Sequence, residues 1–204
     1  SLVALNMASL SYTNILYINC KDIVFWLDGV CAKFIIKNFF KTAGRKVLDH
    51  ITLPKDIDTI YLCGKRSEKQ ISYLEEKFKK NVEFLELPFF ESLNDASEYK
   101  LKIKNNSLVI LNISTPKQEI IANNILNYNR SNKIFVFCLG GGVAMAAGEE
   151  EIVPENIEKM NLEWFWRLRT NTLFRLKRLL RTSFFFIIKK LFYYYNKIKF
   201  KDLA

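Results

Sequence analysis

Residues Ser107 to Glu119 read SLVILNISTPKQE, a run that is apolar on both of its alternating faces and ends on residues suited to opening a helix. A strand with two apolar faces belongs inside a sheet that is covered on both sides. Similar runs stand at Ile23–Leu27 (IVFWL), Thr59–Cys63 (TIYLC), Val82–Leu87 (VEFLEL) and Lys133–Leu139 (KIFVFCL). Helix-like segments lie between them at Val30–Lys41, Glu68–Lys79 and Pro116–Asn127. This alternation predicts an α/β domain built on a doubly wound, mostly parallel, Rossmann-like sheet. All strands then end along one edge, where ligands of such sheets bind, so site residues are expected just after strands.

Three places meet that condition. Asp28 and Gly29 follow IVFWL, and the glycine lets the chain turn and leaves a carboxylate at the edge. Such a carboxylate could take a proton from a hydroxyl, or it could simply cap the next helix. Ser114, Thr115 and Pro116 follow LVILNI. There Thr115 as N-cap, Pro116 as first helical residue and Gln118 as partner would make a capping box. A helix start with Lys117 and Gln118 in its first turn, at the ligand edge, equally suits a phosphate or a sugar hydroxyl. Gly140, Gly141 and Gly142 follow IFVFCL, where bare backbone could approach a diphosphate or merely turn tightly. They match neither G-x-G-x-x-G nor a P-loop. Asp56-Ile57-Asp58 spells a D-x-D but precedes its strand, at the opposite edge, and reads as a solvated turn.

Composition separates the two ends of the chain. The 204 residues carry 31 Lys and Arg against 21 Asp and Glu, a net +10, with half the residues hydrophobic. From Asn161 onward eleven basic residues face two acidic ones, leaving 20 basic and 19 acidic for residues 1–160. The same tail holds twelve of the 29 aromatic residues. Arg175, Arg178 and Arg181 recur every three residues beside an apolar stripe of Leu173, Leu176 and Leu180. A block so charged and so apolar suits a helix lying in the plane of an anionic membrane surface better than nucleic acid, and no nucleic-acid module is recognisable. The apolar runs near the C-terminus are broken by Lys189 and Lys190 and fall short of the roughly 20 residues of a membrane span. No signal peptide is expected at the opening residues. Four cysteines without C-x-x-C spacing and one histidine, His50, exclude a zinc framework and suggest buried thiols in a reducing cytoplasm. The organisation expected is an α/β domain over residues 1–153 and a helical, basic-aromatic appendage over residues 154–204.

These motifs together resemble the bacterial glycosyltransferases of the WecG/TagA/CpsF family. The resemblance is carried by LDG (Leu27–Gly29), TPKQE (Thr115–Glu119), the glycines of LGGGVAMAAG, Pro154, LEWFWRL (Leu162–Leu168) and LKRL (Leu176–Leu179). It implies an inverting transferase that moves an N-acetylmannosamine-type N-acetylhexosamine from a UDP-sugar to N-acetylglucosamine on a polyprenyl diphosphate, in cell-surface polysaccharide synthesis. It implies no cofactor and no metal, and a peripheral location on the inner face of the cell membrane; self-association is left open. Asp28 aligns with the family's proposed base, Gln118 with a substrate-contacting residue and Asn6 with a substrate-binding segment. Gly29, Thr115, Lys117 and Gly140 to Gly142 fall around the donor. Arg167, Arg175 and Arg178 align with the appendage that docks on the membrane and completes the site over the lipid diphosphate.

The chain also departs from that pattern. Asn112 and Ser114 stand where glycines are usual, Val143 and Ala144 where Phe-Asp is, and Glu149 to Glu151 where basic residues are common. A threonine usual before the Leu5-Asn6 segment is missing. Ala144 and Glu149 to Glu151 motivate another reading, a catalytically silent membrane-binding module of this fold that assists another synthase; the basic tail leaves a third, a nucleic-acid-binding domain.

Overall fold

A computed structural model describes residues 2–5, 24–27, 42, 44–160, 162–169, 172–173, 175–177, 179–184 and 187–188. The strands are β1 (Leu2–Leu5), β2 (Val24–Leu27), β3 (Thr59–Gly64), β4 (Val82–Glu86), β5 (Ser107–Asn112) and β6 (Ile134–Cys138). The helices are α1 (Gly44–His50), α2 (Glu68–Phe78), α3 (Leu93–Glu98), α4 (Lys117–Tyr128), α5 (Gly142–Ala146), α6 (Glu155–Lys159) and α7 (Glu163–Leu168). The strands form one six-stranded sheet in the order β2-β1-β6-β5-β3-β4, and every pairing is parallel. This is the doubly wound α/β fold read from the sequence.

Two cores explain why the strands are apolar on both faces. Tyr61, Cys63, Val109, Leu111, Val136 and Cys138 pack on one side with Ile121, Ala122 and Ile125 of α4. The alternate residues Ile60, Leu62, Leu108, Ile110 and Phe137 pack on the other with Leu48, Leu74 and Val143. Each side is the period-two face of the same strands. Burial also holds the two described thiols protonated. The Cys63 thiol is pushed up to about 12 by desolvation, and that of Cys138 is raised well above its ordinary value for the same reason.

Local chemistry sets the helix ends. The Ser67 Oγ accepts from the Gln70 amide at 3.3 Å to start α2, and Lys79, at φ 53°, ends it by donating to the Glu75 carbonyl at 2.8 Å. Ser92 and Asp95 close a reciprocal capping box on α3. Asn129 secures the end of α4: its Nδ2 donates to Leu101 O and Ile125 O, and its Oδ1 accepts from Ile103 N.

Topology defines the ligand edge. The chain passes from β3 outward to β4, but from β5 it passes the other way to β6, so the direction of winding reverses between the neighbours β3 and β5. Crevices at such reversals are where doubly wound sheets hold ligands. Here the crevice is narrow. Gly64 and Asn112 end the two strands opposite each other, and a Cβ on Gly64, whose φ is +140°, would stand 2.8 Å from the Asn112 carbonyl oxygen. At the far side β1 and β2 also end together, with Leu5 opposite Leu27. Beyond Cys138 no further strand occurs among the described residues, and residues 172–173, 175–177, 179–184 and 187–188 are helical.

Candidate functional site

The turn after β5 is a polar cluster held together by one amide. Gln118 is only 3% exposed. Its Nε2 donates to Thr115 Oγ1 and to Glu119 Oε1, each at 3.0 Å, while its Oε1 accepts the Gly140 amide proton at 3.1 Å. The Thr115 hydroxyl donates to Glu119 Oε1 at 2.8 Å. The capping box expected here does not form: Pro116, joined to Thr115 by a cis peptide bond, is itself the N-cap, and no side chain caps the helix. The Gln118 amide turns inward to the glycine turn instead of back onto the backbone of Thr115. Lys117 points away from that cluster, donating to the Phe90 carbonyl and lying 5.5 Å over the Phe89 ring.

The glycines after β6 form a turn between strand and helix, as the sequence indicated, but two of their amides are already engaged. Gly140 N donates to Leu111 O as well as to Gln118, and Gly142 N donates to Leu139 O at 3.0 Å. Gly140 has φ +52°, the left-handed conformation that glycine tolerates best. Gly142 is small for a packing reason: a Cβ there would meet the Gly44 carbonyl carbon at 3.4 Å, so α1 and α5 touch through two glycines.

That contact brings in a residue the sequence reading missed. Arg45, in the first turn of α1, is 8% exposed. Its Nη2 donates to Glu158 Oε2 of α6 at 2.7 Å, and Lys46 Nζ lies 2.9 Å from the other Glu158 oxygen. Arg45 Nη1 is buried with no hydrogen-bond acceptor among the described residues. A guanidinium with a buried unpartnered N–H is costly unless something else supplies an acceptor. The signal in the sequence was slight, because GRKVLDH is short and offers only Val47 and Leu48 as apolar positions.

The departures from the family pattern prove to be connected. Asn112 Nδ2 donates to Gln70 Oε1 at 2.6 Å, Gln70 Nε2 donates to the Glu149 carboxylate, and the Ser67 hydroxyl donates to its other oxygen. These hydrogen bonds hold the Glu149 carboxyl below its ordinary range. The crevice between β3 and β5 is thus spanned by a chain of side chains ending on a carboxylate at the start of α2. Glu150 lies 3.6 Å from Arg175, and its Oε1 would be 3.8 Å from a Cβ on Gly141.

The C-terminal segment reaches this region through Glu158 to Arg45 and Lys46, through Arg167 Nη2 to Met145 Sδ at 3.3 Å, and through Arg175 to Glu150. Its exposed surface mixes apolar Phe165, Leu173, Leu176, Leu180, Phe184, Ile187 and Ile188 with basic Arg169, Lys177 and Arg181. No helix among the described residues is long and apolar enough to cross a membrane. Asn6, Asp28, Gly29 and Arg178 lie outside the described residues. The structure therefore brings together Thr115, Gln118, Gly140 to Gly142, Arg45, Arg167 and Arg175, and turns Lys117 elsewhere. Asp56 sits in a turn before β3, paired with Lys133, at the edge the sequence assigned it.

A parallel doubly wound sheet whose carboxyl edge carries a glycine turn and a polar helix start, with a buried arginine in the helix packed on that turn, defines an α/β protein of the class that binds ligands at that edge. The sequence pattern of the Glycosyl transferase WecG/TagA/CpsF family matches residues 46–199, most of the chain, and the chain belongs to that family. Its class of activity is therefore glycosyl transfer, from a sugar donor to an acceptor. Asn6, Asp28 and Arg45 precede the matched segment. No curated protein matches the chain.

Proposed function

We propose that the protein transfers an N-acetylhexosamine of the N-acetylmannosamine type from UDP to a sugar on a polyprenyl diphosphate, at an anionic membrane surface, with inversion at the anomeric carbon. Asp28 takes the proton of the acceptor hydroxyl as its oxygen attacks that carbon. The bond from the anomeric carbon to the diphosphate oxygen breaks, and UDP leaves with the bonding pair. The leaving diphosphate needs positive charge that does not reorganise during the reaction. One observation carries this reading: Arg45, nine-tenths buried beside the glycine turn, keeps Nη1 without an acceptor. The amides of Gly140 and Gly142 are spent within the protein, so the guanidinium is the stronger diphosphate ligand in this reading. Thr115, Gln118 and Gly141 line the donor side. Residues 154–204 form the appendage that brings Arg167, Arg175 and Arg178 to the lipid-borne diphosphate.

A second reading is favoured by Glu150, whose carboxylate beside Gly141 would repel an anionic donor. On that reading the chain is a silent membrane-binding module. Calorimetry with UDP separates the two, since the enzyme binds the nucleotide and the module does not. Incubation with a short-chain lipid-diphosphate N-acetylglucosamine and a panel of UDP-sugars then identifies the donor. Asp28→Asn is expected to abolish transfer while UDP binding persists, and near-normal turnover in that variant removes Asp28 from its role.

A further inference from the structure

We infer that Glu158 is a positioning residue: from the first helix of the C-terminal segment it holds the Arg45 guanidinium so that Nη1 stays directed to the donor's diphosphate. The inference rests on the reading that Arg45 binds that diphosphate. Arg45 spends Nη2 on Glu158 Oε2 at 2.7 Å and leaves Nη1 buried and unpartnered. An arginine side chain has several freely rotating bonds, and fixing one edge of its planar fork against a carboxylate fixes the other edge as well. Supporting contacts of this kind commonly decide whether a charged group is held in productive geometry.

A carboxylate so close to a diphosphate site would also repel the ligand, and two observations decide which effect prevails. Lys46 Nζ sits on Glu158 Oε1 at 2.9 Å, so the three side chains together carry a net positive charge. The Arg45 and Glu158 side chains are only 10% and 15% exposed, so water competes poorly for the fork. Geometry is thereby held by a carboxylate whose charge is already shared. The Glu158 contact is also a direct link between the α6 helix and the first turn of α1, beside Gly142. Docking of the C-terminal segment and readiness of the donor site are then one event.

The test compares UDP with uridine, which lacks the diphosphate, by calorimetry on the full chain. Glu158→Ala is expected to weaken UDP binding about tenfold or more, the loss typical of a charged hydrogen bond, and to change uridine binding by less than about twofold. Glu158→Gln, which keeps an acceptor but no charge, falls between, and it stands in for the alanine variant should that one fail to fold. Lys46→Gln, which removes the charge that offsets Glu158 but leaves the Arg45 fork in place, is expected to weaken UDP binding by less than Glu158→Ala does, because that lysine is 48% exposed. Parallel losses for UDP and uridine would mean a merely structural role and overturn the inference. Tighter UDP binding in Glu158→Ala would mean that the carboxylate competes with the ligand, and would overturn it too. If Arg45→Ala loses UDP while Glu158→Ala does not, positioning by Glu158 is wrong and the donor reading survives. If the unaltered chain binds no UDP, both fall together.

Discussion

Gln118 Oε1 accepts the amide proton of Gly140 at 3.1 Å, so the helix that follows β5 and the turn that follows β6 share one side chain. The other end of that amide serves Thr115 and Glu119. Because Gln118 is buried, its loss strands polar groups that water reaches poorly. Gln118→Ala is expected to cost about 1–3 kcal/mol of stability, measured by urea unfolding. UDP affinity should fall with it, because the glycine turn loses its tie to α4. An unchanged unfolding midpoint would show that the cluster repacks without the amide.

The sheet edge offers a sharper steric test. Replacing a glycine by alanine ordinarily stabilises a chain by about 0.4–1 kcal/mol through the unfolded state. At Gly64 the native φ of +140° is strained for any L side chain, and the new Cβ would stand 2.8 Å from a backbone oxygen that cannot swing away. Strain of about 1–3 kcal/mol for the dihedral alone exceeds the entropic gain. Gly64→Ala should therefore lower the melting temperature, and a neutral or stabilised variant would mean that β3 and β5 separate easily at their carboxyl ends.

The strands were legible because burial on both faces writes a nearly continuous apolar run. β3, β5 and β6 fall within a residue of their sequence readings at each end. α2 and α4 were equally plain and lie within a residue at each end of the segments read at Glu68–Lys79 and Pro116–Asn127. β1, α1 and α3 were not, since four to seven residues are too few to establish a period. The site divides in the same way. Thr115, Gln118 and the three glycines follow strands, so topology alone points to them. The bonds from Asn112 through Gln70 to Glu149 join three distant segments, and the Arg45 to Glu158 pair spans 113 positions. No local spacing encodes such partnerships. Asn112 and Glu149 looked like separate departures in the sequence, and only the fold shows that each has a polar partner in Gln70.

That link sets a pH dependence. Hydrogen bonds from Ser67 and Gln70 hold the folded-state pKa of Glu149 below its ordinary value of 4.5. At Glu158 burial raises the pKa, but the contacts with Lys46 and Arg45 outweigh it, so that group is also lowered. A carboxyl whose pKa is lower when folded contributes stability that is fully present above its unfolded pKa and is lost as pH falls through the folded one. Melting temperature should thus be insensitive to these groups at neutral pH and decline on acidification below about 4.5. Glu149→Gln should start less stable at pH 7 and lose less between pH 5 and pH 3. A variant whose acid profile parallels that of the unaltered chain would show that the Glu149 contacts do not persist in solution.

The C-terminal segment makes the most direct prediction about partners. Leu173, Leu176, Leu180 and Phe184 are all exposed at helical spacings of three and four, with Arg175, Lys177 and Arg181 between them. Exposed apolar side chains at that spacing suit the boundary between lipid headgroups and acyl chains. Arg175 also meets Glu150, but at 3.6 Å and partly exposed on both sides. Such a pair is worth at most about 1 kcal/mol, comparable to the roughly 1 kcal/mol that each basic residue gains near an anionic lipid surface. Three cations at about 1 kcal/mol each therefore outweigh the Arg175 contact with Glu150. Reversing Arg175, Lys177 and Arg181 to glutamate should weaken sedimentation with phosphatidylglycerol vesicles more than a hundredfold, since the change exceeds about 3 kcal/mol. Replacing Leu176 and Leu180 by serine should leave a weaker binding that disappears with added salt, because only the screened electrostatic part remains. Equal recovery of the reversed variant on anionic and neutral vesicles, at the level of the unaltered chain, would mean that the segment meets something other than a charged membrane.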